Sequence, residues 1–338
     1  MTGAVGHGKG RAAHPPQIRS VKDKTDHYTS TAHNSVVWAV IVLNWNKSAL
    51  TLECIDSIDT ALQLCPDLKV FKTVVDNGSE MSERSALEAG LRKRNRWSLI
   101  TLSNNEGYAT GMNAGFQHAQ SVAQPTSTLF LNNDLLLAPD ALLHLFREEQ
   151  DRGLATITGL TLFTGKGASQ KKGHGYRYWS WLGMATGVTQ PGRPIDYMSG
   201  AAMLIDNAFL GRIGGIPTNS FLYFEELRLV AALKNDECFA CSNAATAEHS
   251  GGVTATAGLT RPTRHYYAAI SCFSFTRDYH PIKLPTVVLA RILGLFLLGG
   301  IRLQLAPALD ACKALFDFIA GRELRQGISP SDPEPPPY

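Results

Sequence analysis

Two acidic residues in the first half of the chain follow short apolar runs. Asp76 comes after Val74-Val75, and Asp134 ends the segment Phe130-Leu131-Asn132-Asn133-Asp134. A strand of an open α/β sheet that ends in a carboxylate places that group at the carboxyl edge of the sheet, where such sheets bind ligands. An ionised carboxylate is also a hard oxygen ligand that suits Mg²⁺ or Mn²⁺ holding a diphosphate. The two strand ends therefore predict one site, with Asp134 as a metal ligand.

The neighbouring segments decide between a site and an ordinary turn, because Asn and Asp are also common turn residues. Residues 40–43 form a further apolar run that ends in Asn44-Trp45-Asn46, and residues 100–102 lead into the Asn- and Gly-rich segment 103–115. Four apolar runs thus end in Asn, Asp or Gly, and each is followed by a helix signal. This repetition is typical of βα units in a parallel sheet.

The order of these motifs resembles family 2 of the inverting glycosyltransferases, and most of all the rhamnosyltransferase-like branch that builds bacterial surface polysaccharides. The segments that carry the resemblance are 42–46, 75–79, 104–115, 131–134, 196–205, 213–216 and 221–227. The resemblance implies a GT-A fold, in which helices flank a Rossmann-like mixed α/β sheet. It also implies a nucleotide-diphospho-sugar donor, a Mg²⁺ or Mn²⁺ cofactor and inversion at the anomeric carbon.

Donor binding is assigned by the resemblance to residues that are mostly uncharged. They are Asn44, Asn46, Asp76, Asn77, Asn105, Gly107, Gly111, Asn113 and Asn133. Asp76 can accept hydrogen bonds from the base or ribose, and the amides add donors and acceptors without charge. Gly107 and Gly111 let the backbone approach the donor and tolerate positive φ. The alternative to donor binding is an ordinary glycine-rich loop. The presence of several family motifs in order disfavours this alternative.

The carboxylates that the resemblance assigns to the acceptor side are Glu225 and Glu226. The family usually carries Glu-Asp here and a further Asp two residues later, so this chain differs at Glu226 and at Arg228. We expect Glu226 to be the catalytic base and Glu225 to orient it or to bind the acceptor, because adjacent carboxylates among aromatic residues raise each other's proton affinity. A solvated pair at a helix start is the alternative. Arg228 either binds an acceptor phosphate or pairs with Glu225.

Two histidines are further candidates. His249 matches a position where the family often carries a histidine near the metal or diphosphate, and imidazole is a ligand that Mn²⁺ accepts. A structural histidine is the alternative reading. His174 lies in a loop-like stretch near Trp179 and Trp181, which either stacks on a sugar or lipid-linked acceptor or is a flexible surface loop.

Composition divides the chain into four parts. We expect a disordered basic arm over residues 1–35, a catalytic domain over 36–260, a helical region over 261–325 and a Pro-rich disordered tail over 326–338. The formal net charge is only +3 and the basic residues of the arm are scattered, so we expect no nucleic-acid partner. Six cysteines without framework spacing, and no signal-peptide segment, predict a reduced cytoplasmic protein.

Segment 284–301 is strongly apolar but carries Arg291 near its middle, which a membrane-spanning helix tolerates poorly. A helix in the bilayer interface fits better, because residues 261–325 hold nine Lys or Arg against four acids. A buried hairpin packed on the catalytic domain or on a second subunit is the alternative, which leaves a homo-oligomer open.

We therefore expect an enzyme peripheral to the inner face of the cell membrane that transfers a sugar to a glycan or lipid-linked acceptor. One alternative is the same fold with a galactosyl, glucosyl or N-acetylhexosaminyl donor. A second is a catalytically silent homologue that binds a glycan or serves as a scaffold, which the departures at Glu226 and Arg228 motivate.

Overall fold

The computed structural model describes residues 37–94, 96–152, 155–165, 170–250, 261–302 and 305–322. The arm predicted over residues 1–35 and the tail predicted over residues 326–338 lie outside this part of the chain. The strands are β1 (Val37–Asn44), β2 (Lys69–Asn77), β3 (Trp97–Leu102), β4 (Ser127–Asn132), β5 (Leu135–Leu137), β6 (Ile157–Thr164), β7 (Lys171–Gly173), β8 (Gly175–Trp179), β9 (Met184–Val188), β10 (Ala202–Asp206) and β11 (Phe239–His249).

The helices follow the strands in the first half of the chain and gather at its end. They are α1 (Ser48–Leu62), α2 (Met81–Leu91), α3 (Tyr108–Ala123), α4 (Ala141–Arg152), α5 (Asn207–Ile213), α6 (Glu225–Ala231), α7 (Arg261–Tyr279), α8 (Leu284–Arg302) and α9 (Ala306–Ile319), with a 3₁₀ turn at Pro281–Lys283. None of the helices in the described ranges has the length and apolar character that crossing a membrane requires.

One mixed sheet organises the part of the chain between β1 and β11. Its strands run in the order β3-β2-β1-β4-β10-β6-β11-β5, with β7 beside β6. The first four strands are parallel to one another, β10 is antiparallel to both of its neighbours, and β11 is parallel to β6. Strands β8 and β9 form a separate hairpin. The predicted α/β architecture, a mixed sheet flanked by helices, is confirmed.

Both faces of the sheet are covered because successive residues of a strand point to opposite sides. Val40 and Val42 of β1 lie in the core under α1, whereas Ile41 lies in the core under α3. The matching buried helix residues are Cys54, Ile55 and Ile58 of α1 and Met112 and Phe116 of α3. An uninterrupted apolar run such as β1 therefore predicts a central strand with a helix on each side.

The register of the parallel strands brings the polar strand ends to one edge. Asn44 at the end of β1 is aligned with Asp76 of β2, and Leu43 is aligned with Asn132 of β4. Neighbouring strands lie about 4.8 Å apart, so the ends of β2 and β4 are separated by about 10 Å across the edge. This span matches a ligand that extends along the edge rather than a single ion.

The C-terminal helices pack against the β8–β9 hairpin and the segment before α6 through aromatic residues. The ring of Phe221 stacks on Tyr267 of α7 with centroids 4.6 Å apart, and Tyr178 of β8 meets Phe275 of α7 edge to face at 5.7 Å. Helices α8 and α9 join the same apolar cluster through residues such as Val287 and Ala311. The helical region predicted after residue 260 is thus present, and it contacts the loop before α6.

Candidate active site

Asp76 is the centre of a hydrogen-bonded network at the carboxyl edge of the sheet. Its Oδ1 accepts from Asn44 Nδ2 at 2.9 Å and from the hydroxyl of Ser79, and its Oδ2 accepts from Arg84 Nε at 3.0 Å. The Arg84 guanidinium also donates to the backbone oxygen of Leu102 at 3.2 Å, which ties β2 to β3. The carboxylate is completely buried by these partners. The sequence pattern identified Asp76 but not Arg84, which lies eight residues later in the first turn of α2.

The predicted amides Asn44, Asn46 and Asn133 lie in the same network. Asn44 Oδ1 accepts from Thr51 Oγ1 at 2.7 Å, and Asn133 Nδ2 donates to that same hydroxyl at 2.9 Å. The backbone N–H of Asn46 donates to the hydroxyl of Ser79 at 2.9 Å, and Asn46 Oδ1 accepts from the backbone of Glu80. These contacts fix the strand ends relative to one another and so hold Asp76 in place.

A second group of predicted residues shapes the loop before α3. Asn77 Nδ2 donates to Asn105 Oδ1 at 2.9 Å and to the backbone oxygen of Gly107 at 3.1 Å. Gly107 has a φ of 85°, and a Cβ atom there would lie 2.5 Å from the backbone oxygen of Phe221. Glycine is therefore required at this position for two reasons, its left-handed backbone and the close approach of the Phe221 segment.

Gly111 and Asn113 serve the packing of α3, which differs from the predicted reason for their residue types. Gly111 lies inside the helix, outside the left-handed region, and a Cβ atom there would lie 2.5 Å from Cδ1 of Leu43. Gly111 does not use the tolerance of glycine for positive φ; close contact between α3 and β1 is what requires the glycine. Asn113 uses both ends of its amide on the backbone of Ile216, at 2.8 Å each, and so fixes that loop.

Asp134 and His249 lie side by side at the far end of the same edge. Asp134 Oδ1 is 3.3 Å from His249 Nε2, and the backbone oxygen of Asp134 accepts from the backbone N–H of Ser250 at 3.0 Å. The antiparallel pairing of β5 with β11 places Leu135 opposite His249 and thereby brings the two residues together. The Asp134 side chain is 1% exposed and the His249 side chain 16%, so both lie in a partly enclosed place.

The pair fits a divalent metal of the predicted kind. Two ligands at neighbouring corners of an octahedron with bonds of about 2.1 Å lie about 3 Å apart, close to the separation between Asp134 and His249. Carboxylate and imidazole together suit Mn²⁺. In the described ranges no third His, Cys, Asp or Glu joins them, so diphosphate oxygens and water would fill the remaining positions.

Helix α6 begins with Glu225 and Glu226, and the turn before β10 holds Glu226 in place. Glu226 Oε1 accepts from the backbone N–H of Gly200 at 2.9 Å, and a Cβ atom at Gly200 would collide with that oxygen. The neighbouring Ala201 accepts from the backbone N–H of Asn132 at 2.8 Å. The base candidate is therefore connected through two short contacts to the end of β4, just before Asp134.

The surroundings of the two glutamates favour their neutral forms. Burial is the main cause that raises the pKa of Glu225 well above its usual range, and the negative charge of Glu226 adds to it. Burial also raises the pKa of Glu226, while its hydrogen bond from Gly200 opposes the rise. Glu225 is only 3% exposed and accepts from Ser220 Oγ at 3.1 Å, so it does not match a solvated helix-start residue. Such a pair can accept a proton near neutral pH.

The turn that presents these carboxylates is strained. Tyr223 and Phe224, the two residues before α6, both have a φ of 73°, although neither is glycine. Bulky residues adopt this left-handed conformation at a cost of order 1–3 kcal/mol and do so mainly where function or dense packing demands it. Here the turn packs against α7 through Phe224 and Phe275, with ring centroids 5.5 Å apart.

Sequence reasoning gave no role to two tyrosines beside Glu226. The rings of Tyr176 and Tyr197 stack with centroids 5.1 Å apart, and the backbone N–H of Tyr176 donates to the backbone oxygen of Tyr197 at 2.9 Å. Burial, and then the charge of Glu226, raise the pKa of both phenols. Tyr197 lies in the segment 196–205, so its motif was visible, whereas the position of Tyr176 depends on the β8–β9 hairpin.

Arg228 forms its ion pair with Asp278 of α7 rather than with Glu225. Its Nη1 donates to Asp278 Oδ2 at 2.8 Å and its Nη2 to Ser274 Oγ at 3.0 Å. The guanidinium also lies over the ring of Tyr279, 5.6 Å from the centroid. Arg228 is 2% exposed and fastens α6 to α7, because a buried guanidinium needs an acid and several acceptors around it. Arg228, at a position where the family usually carries Asp, therefore stabilises the packing of α6 on α7.

His174 is buried rather than part of a flexible surface loop. It lies between β7 and β8 and is 4% exposed, with Nδ1 3.0 Å from the hydroxyl of Thr161. Burial, with the charge of Lys172, lowers the pKa of His174. The alternative of a flexible surface loop is therefore wrong for this residue, which is buried between two paired strands, β7 on β6 and β8 on β9. Trp179 and Trp181 are exposed, as a stacking or surface role would require.

Solved glycosyltransferase structures share this fold at low sequence identity. One is GalNAc-T7 with UDP, GalNAc and Mn²⁺, with 13% identity, a TM-score of 0.51 and coverage of 72% of this chain and 52% of the other. Another is the mannosyltransferase PcManGT from Pyrobaculum calidifontis with GDP-Man and Mn²⁺, with 16% identity, a TM-score of 0.51 and coverage of 85% and 88%. A third is TarS from S. aureus, with 15% identity, a TM-score of 0.52 and coverage of 84% and 48%.

These likenesses support the GT-A fold, and the chain spans about half the length of the GalNAc-T7 and TarS chains. No curated protein sequence matches the chain significantly. The model of the family described as "Glycosyl transferase family 2" matches residues 39–214, just over half of the chain, and includes Asp76, Asp134 and most of the edge network. The chain therefore belongs to glycosyl transferase family 2.

Proposed function

We propose that the chain is a metal-dependent, inverting glycosyltransferase that uses a nucleotide-diphospho-sugar as donor. The observation that carries this proposal is the arrangement of three acids around one sheet edge. Asp76 and Asp134 lie at the ends of β2 and β4, and Glu226 is held next to the end of β4 through Gly200. The span of about 10 Å between the two strand ends suits a nucleoside at one end and a diphosphate at the other.

In this proposal the Asp76 end of the edge receives the nucleoside. A buried acid at a strand end is the usual partner of a ribose or base in nucleotide-binding α/β folds. The Asn77–Asn105 contact and the left-handed Gly107 set the path of the loop that would lie along the donor. Support also comes from GalNAc-T7 and PcManGT, whose structures contain UDP and GDP-Man.

At the other end, Asp134 and His249 would hold the metal. Both compared structures with nucleotides also contain Mn²⁺, which supports that choice for this chain. When bound, a divalent ion stabilises the negative charge of the departing nucleoside diphosphate. Asp134 and His249 are kept in position for it by the β5–β11 pairing.

Glu226 is the proposed base. As the acceptor oxygen attacks the anomeric carbon, its hydroxyl proton passes to the Glu226 carboxylate, and the bond from that carbon to the diphosphate oxygen breaks on the opposite face of the sugar. The Gly200 N–H fixes one carboxylate oxygen at 2.9 Å and leaves the other for the acceptor hydroxyl. Glu225 stays behind it, bonded to Ser220, and orients the turn.

We further propose rhamnose as the transferred sugar and a glycan or lipid-linked acceptor at the inner face of the cell membrane, in the synthesis of a surface polysaccharide. The support for this finer assignment is the resemblance of the motif series to the rhamnosyltransferase-like branch. The stacked Tyr176 and Tyr197 beside Glu226 offer a flat apolar face against which an acceptor sugar can pack.

The test is release of nucleoside diphosphate from a panel of rhamnosyl, galactosyl, glucosyl and N-acetylhexosaminyl nucleotides, with Mn²⁺ and with a chelator. The proposal expects slow, Mn²⁺-dependent release from one donor class, and the identity of that class decides the sugar. The same assay with Asp134→Ala should show none. Absence of release from every donor, with nucleotide binding intact, would favour the silent scaffold.

A further inference from the structure

Helix α8 carries apolar residues on its outer face, where a surface helix normally carries polar ones. Its inner face packs on the other C-terminal helices through residues such as Val287. Its outer face repeats large apolar residues at helical spacing, and Leu289 is 59% and Leu297 69% exposed. Among the exposed α8 residues whose side chains the structure describes, none is charged. This face is suited to contact with something less polar than water.

The one charge in the middle of α8 is turned inward. Arg291 donates from Nη1 to the backbone oxygen of Gly183 and from Nη2 to the backbone oxygen of Ala268, both at 2.9 Å. Two carbonyl acceptors therefore hold the guanidinium on the protein side of the helix. The arginine that argues against a membrane span is thus compatible with an apolar outer face.

The β8–β9 hairpin extends the same surface. Lys283, just before α8, donates to Ser180 Oγ at 2.7 Å and lies 5.3 Å from the ring centroid of Trp181. Gly183 packs against Val287 closely enough that a Cβ atom there would lie 2.7 Å from Cγ1. We call the combined exposed residues the apolar docking surface. They are Trp179, Trp181, Leu182, Met184, Ile282, Leu289, Leu293, Phe296 and Leu297.

The positive charge of the C-terminal region favours an anionic bilayer over a second copy of the chain as the partner of this surface. The region 261–325 holds nine Lys or Arg against four acids, so a second copy of the chain would bring two regions of excess positive charge together. An anionic bilayer surface attracts the same residues. Tryptophan rings beside a lysine, as in Trp181 and Lys283, are typical of the boundary between water and lipid.

We propose that the apolar docking surface binds an anionic lipid bilayer, with α8 lying in the plane of the interface and the hairpin tryptophans at the level of the headgroups. The helix has 19 residues and is about 28 Å long at 1.5 Å per residue, long enough to lay four exposed apolar side chains on the lipid. This inference does not rest on the proposed transfer chemistry, since none of the residues of the apolar docking surface is a proposed donor, metal or base residue.

The experiment is co-sedimentation of the full chain with vesicles of phosphatidylcholine alone and of phosphatidylcholine mixed with phosphatidylglycerol. We expect binding to the mixed vesicles that weakens at high salt. The double variant Leu289→Ser, Leu293→Ser should lose at least about tenfold in partitioning, because each leucine would no longer bury its side chain in lipid. Its unfolding temperature and nucleotide binding should be unchanged, since both positions are exposed.

A matched control is Leu64→Ser, Val122→Ser, which removes two exposed apolar side chains that lie just after α1 and in α3, outside the apolar docking surface. It should bind the mixed vesicles as the wild type does. Both pairs keep the basic residues of the arm, so a difference between them reports the docking surface. Failure of the wild type to bind, or equal binding by the Leu289/Leu293 variant, would overturn the proposal. A concentration-dependent dimer that only this variant loses would instead assign the surface to a second copy.

Discussion

Asp134 Oδ1 lies 3.3 Å from His249 Nε2, and this contact joins the end of β4 to the end of β11. Leu135 pairs with His249 across the β5–β11 ladder, so the sheet itself sets the separation. The backbone of Asp134 is held as well, because its oxygen accepts from the backbone N–H of Ser250 at 3.0 Å. A metal held here would lie at the Asp134 end of the carboxyl edge of the sheet.

Asp134→Ala should remove metal-dependent nucleotide binding while leaving the fold intact, since the side chain lies at a strand end rather than between packed apolar layers. We expect the rise in unfolding temperature that Mn²⁺ plus nucleoside diphosphate gives the wild type to disappear. Asp140→Ala, which removes a nearby exposed acid, is the control and should respond as the wild type. A full Mn²⁺ response in Asp134→Ala would rule out this residue as the metal's anchor.

Asp76→Asn should weaken nucleotide affinity by about tenfold to a hundredfold, because a charge-assisted hydrogen bond contributes about 1.5–3 kcal/mol. The ion pair with Arg84 would also be lost, so unfolding must be measured in parallel. Titration calorimetry with free nucleoside diphosphate gives the affinity, and Arg84→Gln shows how much of the loss comes from positioning alone. Unchanged affinity in Asp76→Asn would make Asp76 a structural residue of the turn.

Gly200→Ala should reduce turnover without weakening nucleotide binding, because the new methyl group would displace Oε1 of Glu226. The side chain moved is the proposed base, whereas Asp76 and Asp134 are untouched. Gly211→Ala is the matched control, since a Cβ atom there meets nothing within 4 Å. If both alanine variants transfer sugar equally well, the Gly200 contact does not position the base.

Glu225→Gln should stabilise the protein increasingly as the pH rises. The pKa of Glu225 is raised in the folded chain by burial and by Glu226, whereas an unfolded Glu has a pKa of about 4.3. The unfolded state therefore loses its proton first, and folding stability falls as the pH rises above about 4.3 toward the raised value. Gln has no proton to lose, so the difference in unfolding temperature between variant and wild type should grow over this range. A difference independent of pH would mean that Glu225 is not held neutral.

The edge of the sheet could be predicted because its signals are local in sequence. An apolar run followed by Asp, Asn or Gly identifies a strand end, and the βα pattern predicts that such ends share one edge of a parallel sheet, as the ends of β1, β2 and β4 do. Asp76, Asp134 and His249 were accordingly predicted as site residues, and the structure brings Asp134 and His249 into contact.

The partners of Arg228 and His174 could not be predicted because they depend on contacts between distant segments. Asp278 lies 50 positions after Arg228, in a helix whose packing on α6 no local pattern specifies. The contacts of His174 come from Thr161 of β6 and Val188 of β9, 13 and 14 positions away in the sequence. The stacking of Tyr176 on Tyr197 likewise arises from the hairpin, not from either residue's neighbours.

In the proposed reaction Glu226 removes the acceptor proton as the sugar is transferred. The measurement is the transfer rate of Glu226→Gln and Glu225→Gln with the donor that the nucleotide panel identifies, together with the affinity of each variant for that donor. Glutamine keeps the shape and the acceptor oxygen for Gly200 but cannot take the proton. We predict that Glu226→Gln loses about a hundredfold or more in rate, with donor affinity unchanged, and that Glu225→Gln loses less. Transfer by Glu226→Gln at the wild-type rate would show that Glu226 is not the base.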